Sequence, residues 1–162
     1  MKLEYVNAFV QGAQSILNTV CGSPGTMGKL FAKQAPYSGL AFSVVTNFTG
    51  MLSGKVIYTM DTECGLFLAS KVMMGMAVTA MDDMAKSAIS ELTNMISGST
   101  AGNLYSQDVK VSVTAPAFID NAAAGDSQFD FVKPGSKLLC IPLHLEDGQS
   151  SLLFEIDLHL EG

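Results

Sequence analysis

The stretch Asp82–Tyr105, DDMAKSAISELTNMISGSTAGNLY, decides how the rest of the chain reads. Ala85, Ala88, Ile89, Leu92, Met95 and Ile96 recur at helical spacing and form one apolar stripe. Asp82 is a good N-cap, and Asp83 puts an anion in the first turn, where the helix dipole favours it. The pattern predicts a long helix from Asp83 to about Tyr105. Glu91 and Asn94 fall on the side away from the apolar stripe. Ser87, Glu91, Asn94 and Gly98 make one outward strip, with Ser90, Ser97 and Ala101 beside it. An ordinary solvated face carries many Lys and Glu. Here one acid and one amide stand among Ser, Gly and Ala. Small neighbours let another protein approach closely, and residues three apart on a helix can act on one target together. By spacing alone the pair also fits a plain solvent face.

Working outward, Val6, Phe9, Val10, Ala13, Leu17 and Val20 predict an amphipathic helix over about 4–20, broken by Gly22-Ser23-Pro24-Gly25. Strands are expected near 28–34, 40–48 and 54–60, with Gly50 to Gly54 turning the last two. Asp61 caps a helix running to about Met74, with Gly75 as its stop. Beyond the long helix, strands are expected near 109–114, 137–145 and 150–160, and Asp147-Gly148 turns the last hairpin. The stretch 119–130 reads as a loop. The order is helix plus three strands, a connecting helix, then helix plus three strands. The fold class is therefore α/β (α+β): pseudo-repeated units forming a mixed or antiparallel sheet with two long helices packed on it. Residues 1–162 read as one domain.

Composition narrows the function. The net charge is −6, from nine Lys against fifteen acids, and there is no Arg. Arg is the usual residue for bidentate phosphate and base contacts, so nucleic-acid binding and a built-in phosphate clamp are both disfavoured. Cys21, Cys64 and Cys140 are widely spaced, with no CxxC or Cys/His cluster, which argues against a zinc site or disulfide frame. Asp82-Asp83 reads as a cap, not a metal pair. His144 and His159 lie in predicted strands among apolar residues and read as structural or exposed. The glycine-rich Gly22 to Gly28 lacks a P-loop ending. The ten methionines read mainly as packing, with an adaptable binding face as the other use. No apolar run reaches the ~20 residues of a spanning helix, and the N-terminus lacks a signal-peptide core. The expected location is the cytoplasm, with no membrane contact.

Ser87-Ala88-Ile89-Ser90-Glu91-Leu92-Thr93-Asn94-Met95-Ile96-Ser97-Gly98 resembles the signature helix of the CheC/CheX/FliY family of chemotaxis phosphatases. The family motif is Glu-x-x-Asn within S-A-[IL]-x-E-[LI]-x-N-[MI]-[IL]-x-G. Ser43-Val44-Val45 and Lys55-Val56-Ile57-Tyr58 resemble its first hairpin, and Met73-Met74-Gly75 the end of its connecting helix. CheC-type members carry two such helices. Here the first helix offers only Gln11 and Gln14 at that spacing, so the chain is most similar to the single-motif CheX-type branch, whose members form homodimers. The family often has Asn after the motif glycine, where this chain has Ser99.

The resemblance implies a phosphatase acting on the aspartyl phosphate of a response-regulator receiver domain such as CheY. It implies that Asn94 positions the attacking water and Glu91 pairs with the receiver's lysine, both as catalytic residues. Ser87, Ser90, Gly98 and Ala101 would line the partner-binding floor. The receiver would bring its own Mg²⁺, and this chain would need no cofactor. Two other readings stand beside this one. One is a non-catalytic adaptor of the chemotaxis or two-component apparatus. The other is a structural dimer that pairs through a strand edge.

Overall fold

The structure is a computed structural model, and residues 2–124, 129–148 and 151–161 are described. Its elements are α1 (Leu3–Cys21), β1 (Thr26–Met27), β2 (Phe31–Gln34), β3 (Phe42–Gly50), β4 (Ser53–Met60), α2 (Thr62–Val72), α3 (Asp83–Tyr105), β5 (Val111–Val113), β6 (Ala117–Asp120), α4 (Asn121–Ala124), β7 (Lys137–Glu146) and β8 (Ser151–Glu161). One sheet takes up the eight strands in the order β1–β7–β8–β4–β3–β5, with β2 also on β7 and β6 also on β3. All of these pairings are antiparallel.

The repeat is present, but each half carries four strands and not the expected three. Hairpins β3–β4 and β7–β8 meet at the centre, where β4 pairs β8. Each half sends its early strands across to the outer side of the other half's hairpin: β1 and β2 to β7, β5 and β6 to β3. Both edge strands carry the same slip. From Met27↔Leu143 to Phe31↔Cys140 the edge advances four residues against three, and so does Val113↔Phe48 to Ala117↔Val45. One extra residue per edge is a bulge, which interrupts the ladder and sharpens the local twist.

These slips explain two departures from the sequence reading. The strand expected near 28–34 is two short strands, and the strand expected near 109–114 shortens to β5. A further strand, β6, and the short α4 occupy the beginning of the stretch read as the loop 119–130. The middle of that stretch, 125–128, lies outside the described residues, as does Ser150 at the start of the last expected strand.

Strand side chains alternate between two cores. Val44, Phe48, Val56, Tyr58, Ile141, Leu143, Phe154, Ile156 and Leu158 face α1, α2 and α3. Val45, Ile57, Leu138 and Cys140 face the other way, under Tyr37, Phe129 and Val132 from the covering loops. Two-sided burial fits the near-continuous apolar run of β7, whereas β8 alternates from Phe154 to Leu160 and buries Glu155 and Asp157 on its second face.

Candidate functional site

Helix α3 is fixed at several points along its length. The Asp82 carboxylate accepts from the Ala85 amide at 2.9 Å and caps it. Its buried stripe is Ala85, Ala88, Ile89, Leu92, Ile96 and Leu104, with Thr93, Ser97 and Thr100 also buried. Against α1 the approach is close at Gly12. A Cβ there would stand 2.5 Å from Thr100 Oγ1 and 2.9 Å from the Thr100 backbone nitrogen. The Asn103 side chain also donates to the Ala8 carbonyl at 3.2 Å. Against the sheet, the Tyr58 hydroxyl and Ser97 Oγ are 2.6 Å apart, and both are buried. Burial raises the Tyr58 pKa above its ordinary value, and the Ser97 hydrogen bond offsets part of that rise.

That bond corrects one placement. Ser97, read as part of the outward face, is 1% exposed and points into the core. The apolar residues alone suggested a narrower stripe, but hydroxyls that find partners share it. Met95, read as core, is only half-buried.

Ser87, Glu91, Asn94 and Gly98 are exposed, while Ser90 and Ala101 are half-buried. A Cβ on Gly98 would have nothing within 4 Å, so the floor there is open. Ser87, Ser90, Glu91 and Asn94 line one hollow of about 300 Å³, together with Lys86 and Pro116. Gly98 and Ala101 lie further along α3 and are not part of its wall. Among the described residues, neither Glu91 nor Asn94 has a side-chain hydrogen bond or ion pair within the chain. Both are free to engage something else.

Lys86 and Pro116 were not identified from the sequence. Pro116 lies between β5 and β6, at the slip in the edge strand, so the bulge supplies the second wall of the hollow. Lys86 is half-buried, its ammonium 5.9 Å from the Phe118 ring centroid on β6. The site thus contains one cation that composition did not reveal. As for metals, among the described residues Glu91 is the sole carboxylate lining the hollow, and Lys86 sits beside it. This donor set does not match the several oxygen ligands Mg²⁺ requires.

A second polar cluster lies on the opposite face of the sheet. Lys33 Nζ is 2.6 Å from Glu155 Oε1 and 3.1 Å from Asp157 Oδ2, and the Tyr37 hydroxyl donates to Asp157 at 2.6 Å. Burial and the adjoining Asp157 push the Glu155 carboxyl up to about 7. Burial lowers the Lys33 pKa, but the two carboxylates outweigh it and the net shift is upward. Cys140, Glu155 and Asp157 bring ligand atoms within 4.8 Å of one another. Lys33 already supplies the positive charge there, and burial pushes the Cys140 thiol up. Lys33, Tyr37, Glu155 and Asp157 thus form one ion and hydrogen-bond network on this face. All three cysteines are free, with Cys64 and Cys140 buried. His144 is exposed on β7, and His159 borders a different hollow with Lys55 and Phe131, so neither histidine reaches α3. Among the described residues no helix is long and apolar enough to cross a membrane.

The family model "Chemotaxis phosphatase CheX" matches residues 42–130, a span that includes Lys86, Glu91, Asn94 and Pro116. The CheY-P phosphatase CheX of Thermotoga maritima is 31% identical over 121 residues, covering 74% of this chain and 77% of that protein. The crystal structure of the CheX–CheY–BeF₃–Mg²⁺ complex from Borrelia burgdorferi superposes with a TM-score of 0.76 at 26% identity, covering 99% of this chain and 100% of that one. The chemotaxis protein CheX from Desulfovibrio desulfuricans gives 0.77 at 23% identity, over 98% and 100% of the two chains, and this likeness is one of fold.

Proposed function

Because the chain belongs to the CheX family of chemotaxis phosphatases, we propose that it hydrolyses the aspartyl phosphate of a CheY-like response-regulator receiver domain. The observation that carries this reading is the exposed Glu91–Asn94 pair. Among the described residues it has no intramolecular partner, and it stands in a hollow with small-residue neighbours.

The chemistry asks little covalent work of the protein. Water attacks phosphorus, the bond to the aspartyl oxygen breaks, the aspartate leaves as a carboxylate, and the proton ends on inorganic phosphate. Such transfer depends on in-line positioning and on charge stabilisation. Asn94 supplies position. Its amide both donates and accepts, so its oxygen can hold the water while its nitrogen donates to a phosphoryl oxygen. A neutral amide also avoids the repulsion a carboxylate would meet beside a dianion. Glu91 pairs with a lysine of the receiver and sets the register of docking. Lys86, on the rim, adds a cation that attracts the phosphorylated partner. Mg²⁺, held by the receiver, neutralises phosphoryl charge. Ser87, Ser90, Gly98 and Ala101 form the floor the receiver rests on.

We place the protein in the cytoplasm, where receiver domains are found, and read it as a homodimer. The β1/β2 edge supports the latter, since it leaves backbone groups open and shows Met27 and Phe31 at 45% and 41% exposure.

The deciding experiment is phosphate release from phosphorylated receivers of the same organism. Asn94→Ala should lower kcat by on the order of 10²-fold with little change in binding. Glu91→Ala should weaken binding, because its partner lysine is left buried without a counter-charge. Full turnover by Asn94→Ala would overturn the mechanism.

A further inference from the structure

Helix α3 has hollows on both sides of the Ser87–Glu91 ridge, and they differ in chemistry. One is the polar hollow of Lys86, Ser90, Asn94 and Pro116. The other is a groove of about 570 Å³ between the end of α2 and the start of α3, walled by Val72, Met73, Met84 and Ala88. Asp83 stands at its end, and Ser87 and Glu91 line both hollows. Met84 is 62% exposed on the first turn of α3. Its side chain lines the groove with Val72, Met73 and Ala88, so the apolar surface there is contiguous and not a lone exposed residue, which marks an interaction surface. Methionine suits such a surface because its unbranched thioether adapts to what it meets.

The occupant follows from continuity. A protein that reaches Glu91 and Asn94 must cover far more than those two residues, since stable interfaces bury roughly 800 Å² on each partner. The ridge it grips is also the wall of the groove. We propose that the Met73–Met84 groove receives an apolar surface side chain of the receiver domain, next to its phosphorylated aspartate. On this view the groove selects which receivers are dephosphorylated. This inference rests on the reading of Glu91 and Asn94 as the receiver-docking face. It adds an apolar anchor on one flank to the charged contacts on the other, which is how binding energy concentrates in a few buried side chains.

The test separates the two ideas. Met84→Gln should raise KM for a phosphorylated receiver roughly tenfold, the effect of losing one well-buried anchor, with kcat at saturation unchanged. Affinity for the receiver carrying beryllofluoride, read by fluorescence anisotropy, should fall by the same factor. Met84→Leu keeps an apolar side chain and should restore both values. Met51→Gln is the control, at a methionine 61% exposed in the β3–β4 turn, and should change nothing. If Met84→Gln and Met73→Gln leave KM unchanged while Asn94→Ala abolishes turnover, the groove proposal is overturned and the catalytic reading stands. If Asn94→Ala keeps its turnover, the catalytic reading falls and takes the groove with it. If Met84→Gln shifts self-association by light scattering but not KM, the groove holds a second copy and the proposal fails.

Discussion

Gly98 offers a perturbation in which stability and function should move in opposite directions. It lies inside α3, its φ is not in the left-handed region, and a Cβ there would touch nothing within 4 Å. Alanine at such a position favours the helix by about 0.8–1.0 kcal/mol over glycine, because the unfolded backbone loses freedom and no strain is added. For a domain of this size that corresponds to a rise in Tm of roughly 2–4 °C. Yet Gly98 is one turn beyond Asn94, about 6 Å along the axis, on the floor where the receiver would rest. A methyl there holds the partner off, and a displacement of about 1 Å at the attacking water costs on the order of 10²-fold in rate. Gly98→Ala should therefore unfold at a higher temperature and dephosphorylate more slowly, and Gly98→Leu more slowly still. Gly102 is the matched control: it is exposed on the same helix and equally open around its Cβ. Gly102→Ala should gain the same stability with turnover unchanged. Thermal unfolding and phosphate release on the four proteins decide the matter. A lower Tm for Gly98→Ala would refute the helix argument, and wild-type turnover by Gly98→Leu would refute the floor.

Three further outcomes are expected. Gly12→Ala forces a methyl against Thr100, an overpacking worth about 1–3 kcal/mol that helix propensity offsets by only ~1; its urea midpoint should fall at unchanged m, and a neutral result would show that α1 and α3 can separate freely. Tyr58→Phe strips the buried Ser97 hydroxyl of its partner and should cost about 1–3 kcal/mol, part of which Ser97→Ala recovers when added to it. The Glu155 carboxyl titrates near 7 in the folded chain against an ordinary 4.5, so the folded state binds the extra proton. Its contribution therefore favours folding at low pH and is lost as pH rises through that window, by up to ~1.4 kcal/mol per unit, then levels off above about 7. Glu155→Gln should flatten this segment of the stability–pH curve in denaturant titrations, and an identical curve for both proteins would contradict the assignment.

The central helix and its motif pair were legible because periodicity, cap and spacing all lie within one continuous segment. Both expected caps, Asp61 and Asp82, accept from the amides of Cys64 and Ala85. What could not be read depends on distant segments. Ser97 looked outward until Tyr58, thirty-nine positions away, supplied its partner. Pro116 and Lys86 gained their place in the hollow from β6, a strand too short and too interrupted to show periodicity. The glycines between the hairpin strands were read as a turn, and the structure adds a reason for one of them. Gly54 has φ 139° and lies so close to the His159 carbonyl that no side chain fits. Glu155 and Asp157 stood in an apolar strand with no sequence sign that Lys33 would meet them across the sheet.

The exchange of edge strands between the two halves has a consequence for synthesis. Phe31 pairs with Cys140, and Lys33 meets its carboxylates only once Asp157 exists. The first half therefore leaves the ribosome with β2 lacking its neighbour until roughly a hundred more residues are added, a wait of roughly 5–20 s at ordinary elongation rates. During that interval the β3–β4 hairpin exposes the flank that β8 later covers. The nascent chain in this window is where a holding chaperone would be needed, and a ribosome stalled before residue 137 would present an open sheet able to pair with its neighbours on the same messenger.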